Sequence, residues 1–139
     1  MITGLAHVNL TVPPSTLHQA SAFYNNTLGL VQTAVPAAQQ DTLAWFNIGD
    51  SGQQVHISCN SNANEPTASR HPCFRIGSVE KLVELQQRIW EHFERGGEGA
   101  PVEADRVGVS SGEFCSPFYA DLWVEIWVGF RDSRLMRCR

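Results

Sequence analysis

The sequence predicts an α+β fold in which two βαβββ units follow each other and form an open, cup-shaped mixed sheet with helices on the outside. The order of hydrophobic patterns in the first half of the chain is repeated in the second half. Matching places in the two halves also carry histidine or glutamate. We expect a single domain of 139 residues, divided into unit one (1–60), a linker (61–70), unit two (71–128) and a C-terminal tail (129–139).

The first unit begins with a strand over residues 5–12, where apolar and polar residues alternate. A proline pair ends this strand, and Ser15 or Thr16 can cap the amphipathic helix that follows and closes at Gly29. Three shorter strands are then predicted, over residues 30–35, 42–48 and 53–59. The Asp-Ser-Gly sequence at 50–52 predicts a tight turn between the last two strands.

The second unit follows a polar linker and repeats this order. Residues 71–76 read as a strand, and Ser78 caps a helix with apolar residues at helical spacing that ends at a glycine pair. Three further strands are predicted, over residues 102–107, 113–119 and 122–128. His18 and His92 fall on the two predicted helices without matching partners, and we expect both on solvated surfaces.

Four polar residues occupy matching places in the two units. His7 and His71 lie in the opening strands, while His56 and Glu125 each stand between two β-branched residues in a closing strand. Three imidazoles and a carboxylate suit one divalent ion such as Zn, Ni, Fe, Co or Mn. A single strand histidine is more often a hydrogen-bonded structural residue, and Glu125 is alternatively a strand-edge charge. A carboxylate in so apolar a strand is nevertheless costly unless it is paired or metal-bound.

The faces that carry these residues predict the surroundings of the site. Residues two apart in a strand share a face, so Asn9 and Thr11 lie on the side of His7. By the same rule, Trp123 and Trp127 lie on the side of Glu125. We expect all four to line a substrate pocket, although ordinary core packing accounts for the tryptophans equally well.

Composition excludes several classes of function. Fourteen acidic and ten basic side chains give a mildly negative chain without a basic cluster outside its tail, which disfavours nucleic-acid binding. The N-terminus does not resemble a signal peptide, and no apolar run approaches the ~20 residues that span a bilayer. We therefore expect a cytoplasmic protein without a membrane partner. Its four irregularly spaced cysteines are interpreted as free thiols.

The segments Gly4-Leu5-Ala6-His7-Val8, Ala22-Phe23-Tyr24 and Leu28-Gly29-Leu30 resemble the opening of glyoxalase, fosfomycin-resistance and extradiol-dioxygenase proteins, the vicinal oxygen chelate superfamily. In the glyoxalase branch this resemblance implies four metal ligands, here His7, His56, His71 and Glu125. The other two branches use three places, without His56. The tail 129–135 resembles that of fosfomycin-resistance proteins, in which an arginine at the place of Arg134 meets the phosphonate. The usual Asp-Pro-Asp-Gly-Asn turn before the final glutamate is absent, since residues 116–121 differ from it.

The resemblance implies a small-molecule substrate that presents two neighbouring oxygens to the metal, which stabilises the negative charge developing on them. The first hypothesis is a lyase or isomerase of glyoxalase type, in which Glu125 or His56 moves a proton beside a carbonyl. An Fe(II) extradiol-type dioxygenase using His7, His71 and Glu125 is the second hypothesis, with a thiol transferase of fosfomycin-resistance type as another alternative. A non-catalytic small-molecule binding protein, which belongs to a different class, ranks after them. Short members of the superfamily are usually homodimers with sites shared between two chains, which we expect here.

Overall fold

The computed structural model describes residues 1–61 and 72–107, and the backbone of 122–125. The chain divides into two compact units, Met1–Glu65 and Pro66–Arg139. The most closely packed pairs of helices and strands belong to the same unit.

Unit one has the predicted order of one strand, one helix and three strands. Its elements are strand β1 (His7–Val12), helix α1 (Leu17–Ser21) continuing as a π-helical turn (Ala22–Thr27), and strands β2 (Val31–Thr33), β3 (Leu43–Asn47) and β4 (Gln54–Cys59), with a short 3-10 turn at Ala37–Gln39. The four strands form one mixed sheet in the order β1-β4-β3-β2. β1 and β4 are parallel, whereas β3 pairs antiparallel with both β4 and β2. The α+β fold class is confirmed.

One face of this sheet forms the core of unit one. Because side chains alternate along a strand, Val55 and Ile57 of β4 point to the same side as Phe46 of β3, and all three are fully buried. The helix covers this side with Phe23 and Tyr24, and the Tyr24 ring stacks on Phe46 with centroids 5.5 Å apart. Burying such side chains is worth about 1.5–3 kcal/mol each, so this face anchors the sheet. The opposite face is left for polar residues.

The turn between β3 and β4 sets the register of the polar face. Gly52 has a φ of 75°, a left-handed conformation that costs glycine little and other residues more. Ser51 stabilises the turn by donating its hydroxyl to the carbonyl of Ile48 at 2.7 Å. The resulting pairing puts Trp45 directly opposite His56 and Asn47 opposite Gln54. A slip of one residue would move His56 to the core side.

Unit two contains strand β5 (Cys73–Ile76), helix α2 (Val79–Arg95) and strand β6 (Leu122–Glu125) among the described residues. Ser78 caps α2 as predicted, since its hydroxyl accepts a hydrogen bond from the amide of Lys81 at 3.2 Å. Gly96 follows the helix with a φ of 69°. β5 and β6 pair antiparallel, which sets Cys73 opposite Glu125.

Two predictions for unit two are wrong. Residues 102–107 form no strand; Arg106 instead lies over the ring of Trp90 on α2, with its guanidinium carbon 5.2 Å from the ring centroid. His92 is buried, not solvated, and its Nε2 lies 3.0 Å from the carbonyl oxygen of Glu98. The chain after α2 folds back on the helix. This path buries His92 and keeps residues 102–107 from pairing as a strand. The predicted strand over 113–119 lies outside the described residues.

Within the ranges that the structure describes, no helix is both long and apolar enough to cross a membrane.

Candidate metal centre

The two predicted ligands of unit one, His7 and His56, lie side by side. β1 and β4 are neighbours in the sheet, and the register places His7 opposite Gln54, two residues before His56 on the same face. The two imidazole rings stack in nearly parallel planes, 11° apart, with centroids separated by 4.1 Å. His7 is exposed and His56 is half-buried. The fold therefore brings together two predicted metal ligands that lie at opposite ends of the sequence of unit one.

Trp45 covers the other face of His56. Its indole lies 4.6 Å from the imidazole by centroid distance, with an angle of 13° between the planes. His56 is thus held between Trp45 and His7 in a stack of three rings. The indole Nε1 is buried and has no hydrogen-bond partner among the described residues. Both faces of His56 are occupied, and only its ring edges remain for polar contacts.

Amide side chains contact one edge of the His56 ring. Its Nε2 lies 2.9 Å from Oε1 of Gln54, and Nε2 of Gln54 donates to Oδ1 of Asn47 at 2.8 Å. Gln54 and Asn47 are directly paired across β4 and β3, which brings their side-chain amides within hydrogen-bond distance. A continuous hydrogen-bonded row therefore runs across the polar face to His56.

The surroundings of His56 favour its neutral form. Burial lowers the pKa of His56, and the neighbouring His7 lowers this pKa further because two imidazolium charges repel each other. A histidine must be unprotonated on its ligating nitrogen to bind a metal ion. Two adjacent imidazoles, one with its neutral form favoured, are nitrogen donors of the kind that bind a divalent metal. No cluster of three metal-binding side chains occurs among the side chains of 1–61 and 72–107.

Asn9 and Thr11 lie on the same polar face, farther along β1. Asn9 donates from Nδ2 to the hydroxyl of Ser58 at 3.1 Å, and this residue is exposed. Thr11 is half-buried and pairs with Ser58 in the strand register. Both residues keep their predicted position beside the histidines, and their role as pocket residues remains a prediction.

The other predicted site residues belong to unit two or the tail. Glu125 and Trp123 are part of β6, where they pair with Cys73 and Arg75 in the backbone register. The remaining predicted residues, His71, Trp127 and Arg134, lie outside the described residues.

A cavity of about 340 Å³ lies elsewhere in unit one, beside α1. Polar side chains such as Gln32, His18 and Asp41 line it. Among the described residues, neither His7, His56 nor any other predicted site residue lines this cavity. The predicted site residues of unit one therefore lie on the sheet face that carries His7 and His56, outside this cavity.

Trp45 and Asn47 are the site residues that the sequence analysis missed. Both alternate with the core residues Ala44 and Phe46, which was a signal that they occupy the polar face. Their contact with the site also depends on β3 lying next to β4, which the hydrophobic pattern alone does not specify.

Solved structures with the same fold include a protein assigned to the glyoxalase family and a possible glyoxalase. A glyoxalase family protein from Bacillus anthracis is similar with a TM-score of 0.55 and 28% identity, over 66% of this chain and 71% of that one. The resemblance to the vicinal oxygen chelate superfamily is confirmed. A possible glyoxalase from Bacillus cereus shares the fold with a TM-score of 0.51 and 22% identity, over 65% of this chain and 74% of that one. No protein-family model matches the sequence, and no curated protein matches it.

Proposed function

We propose that this vicinal oxygen chelate protein is a metal-dependent enzyme that binds a small substrate through two neighbouring oxygens and acts as a glyoxalase-like lyase or isomerase. The observation that carries this proposal is the proximity of His7 and His56 on one sheet face, with ring centroids 4.1 Å apart. Its similarity to a glyoxalase family protein, at 28% identity, supports the same class. Neighbouring imidazoles supply the nitrogen donors that metal centres in proteins commonly use.

The proposed ligand set is His7 and His56 from unit one with His71 and Glu125 from unit two. The second pair would come from the same chain or from the partner of a homodimer. Nitrogen and oxygen donors of this kind suit Zn, Ni, Fe, Co or Mn. The lowered pKa of His56 favours its neutral form, which binds a metal ion without first losing a proton.

A bound divalent ion would stabilise the negative charge that develops on the two substrate oxygens. The other roles in the reaction fall to side chains of the protein. His7 and His56 hold the site in place, and Glu125, or His56 if it is displaced, moves the proton beside the substrate carbonyl. Asn9 and Thr11 lie on the same face as the histidine pair, where they can orient a polar substrate by hydrogen bonds.

Two measurements test the proposal. Elemental analysis of protein purified without chelators should find about one divalent ion per chain, and a His7→Gln, His56→Gln double variant should lose it. The metal-loaded protein should then catalyse exchange of the proton beside the carbonyl of hemithioacetals or α-hydroxyketones with solvent deuterium, measured by NMR. The double variant is the control for both measurements.

Other outcomes identify the alternatives. Metal binding without proton exchange, combined with oxygen uptake on a catechol after anaerobic loading with iron, would indicate a dioxygenase. Metal-dependent addition of a thiol to an epoxide would indicate a transferase. Absence of metal, with tight binding of a small molecule, would contradict the enzyme proposal and leave a binding protein.

A further inference from the structure

The ring of His56 is held in one orientation by residues of its own unit. Trp45 and His7 stack on its two faces at 4.6 and 4.1 Å. A partial rotation of the imidazole about its Cβ–Cγ bond would break both stacks, whereas a half-turn would return the ring to the same plane. The two stacks therefore fix the plane of the ring, and the polar contact of Nε2 with Gln54 decides which way round the ring lies in that plane.

The nitrogen Nε2 already has a partner. It lies 2.9 Å from Oε1 of Gln54, and a carbonyl oxygen can only accept a hydrogen bond. The amide of Gln54 is in turn fixed by its donation to Oδ1 of Asn47 at 2.8 Å. In this arrangement Nε2 of His56 carries the ring proton, and the lone pair stays on Nδ1.

We infer that Gln54 is a positioning residue that selects the Nε2-protonated tautomer of His56 and so presents Nδ1 as the nitrogen that binds the metal. The second part of this inference rests on the proposed function, whereas the choice of tautomer does not. A hydrogen bond from the non-ligating ring nitrogen orients metal-bound histidines in general and raises their basicity. Here that partner is an amide oxygen two residues earlier on the same strand.

The tautomer is tested first, in the metal-free protein. Long-range nitrogen–proton NMR correlations of ¹⁵N-histidine-labelled protein distinguish a protonated from an unprotonated ring nitrogen. Above the pKa of His56 we expect Nε2 protonated and Nδ1 unprotonated. Gln54→Leu should populate both tautomers, and Gln54→Glu should restore the single one because a carboxylate also accepts from Nε2. Gln53→Leu is the matched control, since Gln53 is the exposed neighbour and precedes β4.

The metal is tested next, with Zn²⁺ alone as the probe. Isothermal titration calorimetry should show Zn²⁺ binding weakened about 10- to 100-fold in Gln54→Leu, with most of the affinity restored in Gln54→Glu. Gln53→Leu should bind like the unsubstituted protein. In the NMR experiment, Zn²⁺ should shift the Nδ1 resonance of His56 while its Nε2 stays protonated. Circular dichroism of each variant identifies a loss of fold.

Each contrary result has a distinct meaning. A proton on Nδ1 in the metal-free protein overturns the inference. This result is expected if the oxygen and nitrogen of the Gln54 and Asn47 side-chain amides are exchanged. Zn²⁺ bound through Nε2, or a Gln54→Leu variant that matches Gln53→Leu in tautomer and affinity, also overturns it. If the unsubstituted protein binds no Zn²⁺, the proposed function fails, and so does the assignment of Nδ1 of His56 as a metal ligand. The tautomer experiment still decides whether Gln54 positions the ring of His56. A Gln54→Glu variant that folds and does not restore the tautomer contradicts that role.

Discussion

His56 and His7 stack face to face across the boundary between the two parallel strands of unit one, with ring centroids 4.1 Å apart. In sequence they are far apart, one opening the first strand and the other in the last strand of the unit. Their contact follows from the parallel pairing of these strands.

Replacing His56 should weaken metal binding strongly. A four-ligand zinc site is worth about 10–16 kcal/mol, so each ligand carries roughly 3 kcal/mol and its loss costs about 100-fold in affinity. We expect His56→Gln to show this loss in a Zn²⁺ titration by calorimetry. His18→Gln is the control, because His18 is an exposed histidine on α1. Equal affinities of the two variants would exclude His56 as a ligand.

The lowered pKa of His56 predicts how stability changes with pH. Burial and the neighbouring His7 place this pKa below the ordinary value near 6.5, so between the two values the unfolded chain binds more protons than the folded one. The free energy of unfolding should therefore fall as the pH decreases through the range just below 6.5. Urea unfolding of metal-free protein at several pH values measures this slope. His56→Gln should lack that contribution, and a slope unchanged in this variant would contradict it.

Trp45 should tolerate phenylalanine better than leucine. Its indole N–H is buried without a partner among the described residues, and such a group costs about 1–3 kcal/mol. Trp45→Phe removes this cost and keeps an aromatic face for His56, so we expect a net loss below about 1.5 kcal/mol in urea unfolding. Trp45→Leu should destabilise more, since it also removes the stack. If both variants lose equally, the indole N–H must have a partner in solution.

Truncation of Phe46 should destabilise the protein more than the substitutions of Trp45 on the same strand. It is fully buried and stacks on Tyr24, so Phe46→Ala should reduce the free energy of unfolding by about 3–5 kcal/mol. Val31→Ala on β2 provides the comparison. Val31 is 62% exposed, and its change should stay within about 0.5 kcal/mol. A small effect at Phe46 would mean that the core of unit one is packed differently.

The cap of α2 should contribute measurably to unit two. Ser78→Ala removes the hydroxyl that accepts from the Lys81 amide, and the expected loss is about 1 kcal/mol. Lys81→Ala is a suitable control because it removes only the exposed ion pair with Glu84. Thermal unfolding should show a lower midpoint for Ser78→Ala alone. A matching decrease in the control would assign the effect to the ion pair.

The sequence predicted the fold of unit one well because hydrophobic periodicity is a local signal. Alternation along residues 5–12 and 53–59, and helical spacing between them, report which side of each element faces the core. The segment 102–107 shows the limit of this signal. Its residues were compatible with a strand, but the chain folds back on α2, where Arg106 contacts Trp90. Contacts between distant parts of the chain override weak local preferences of this kind.

The sequence by itself determined the βαβββ order of unit one and the polar character of the face that carries His7 and His56. Those properties depend on the spacing of residue types along the chain. Only the tertiary structure decided that β4 lies between β1 and β3, which surrounds His56 with His7, Trp45 and Gln54. Strand pairing joins residues that are distant in sequence, and the hydrophobic pattern of a strand carries no information about its neighbour.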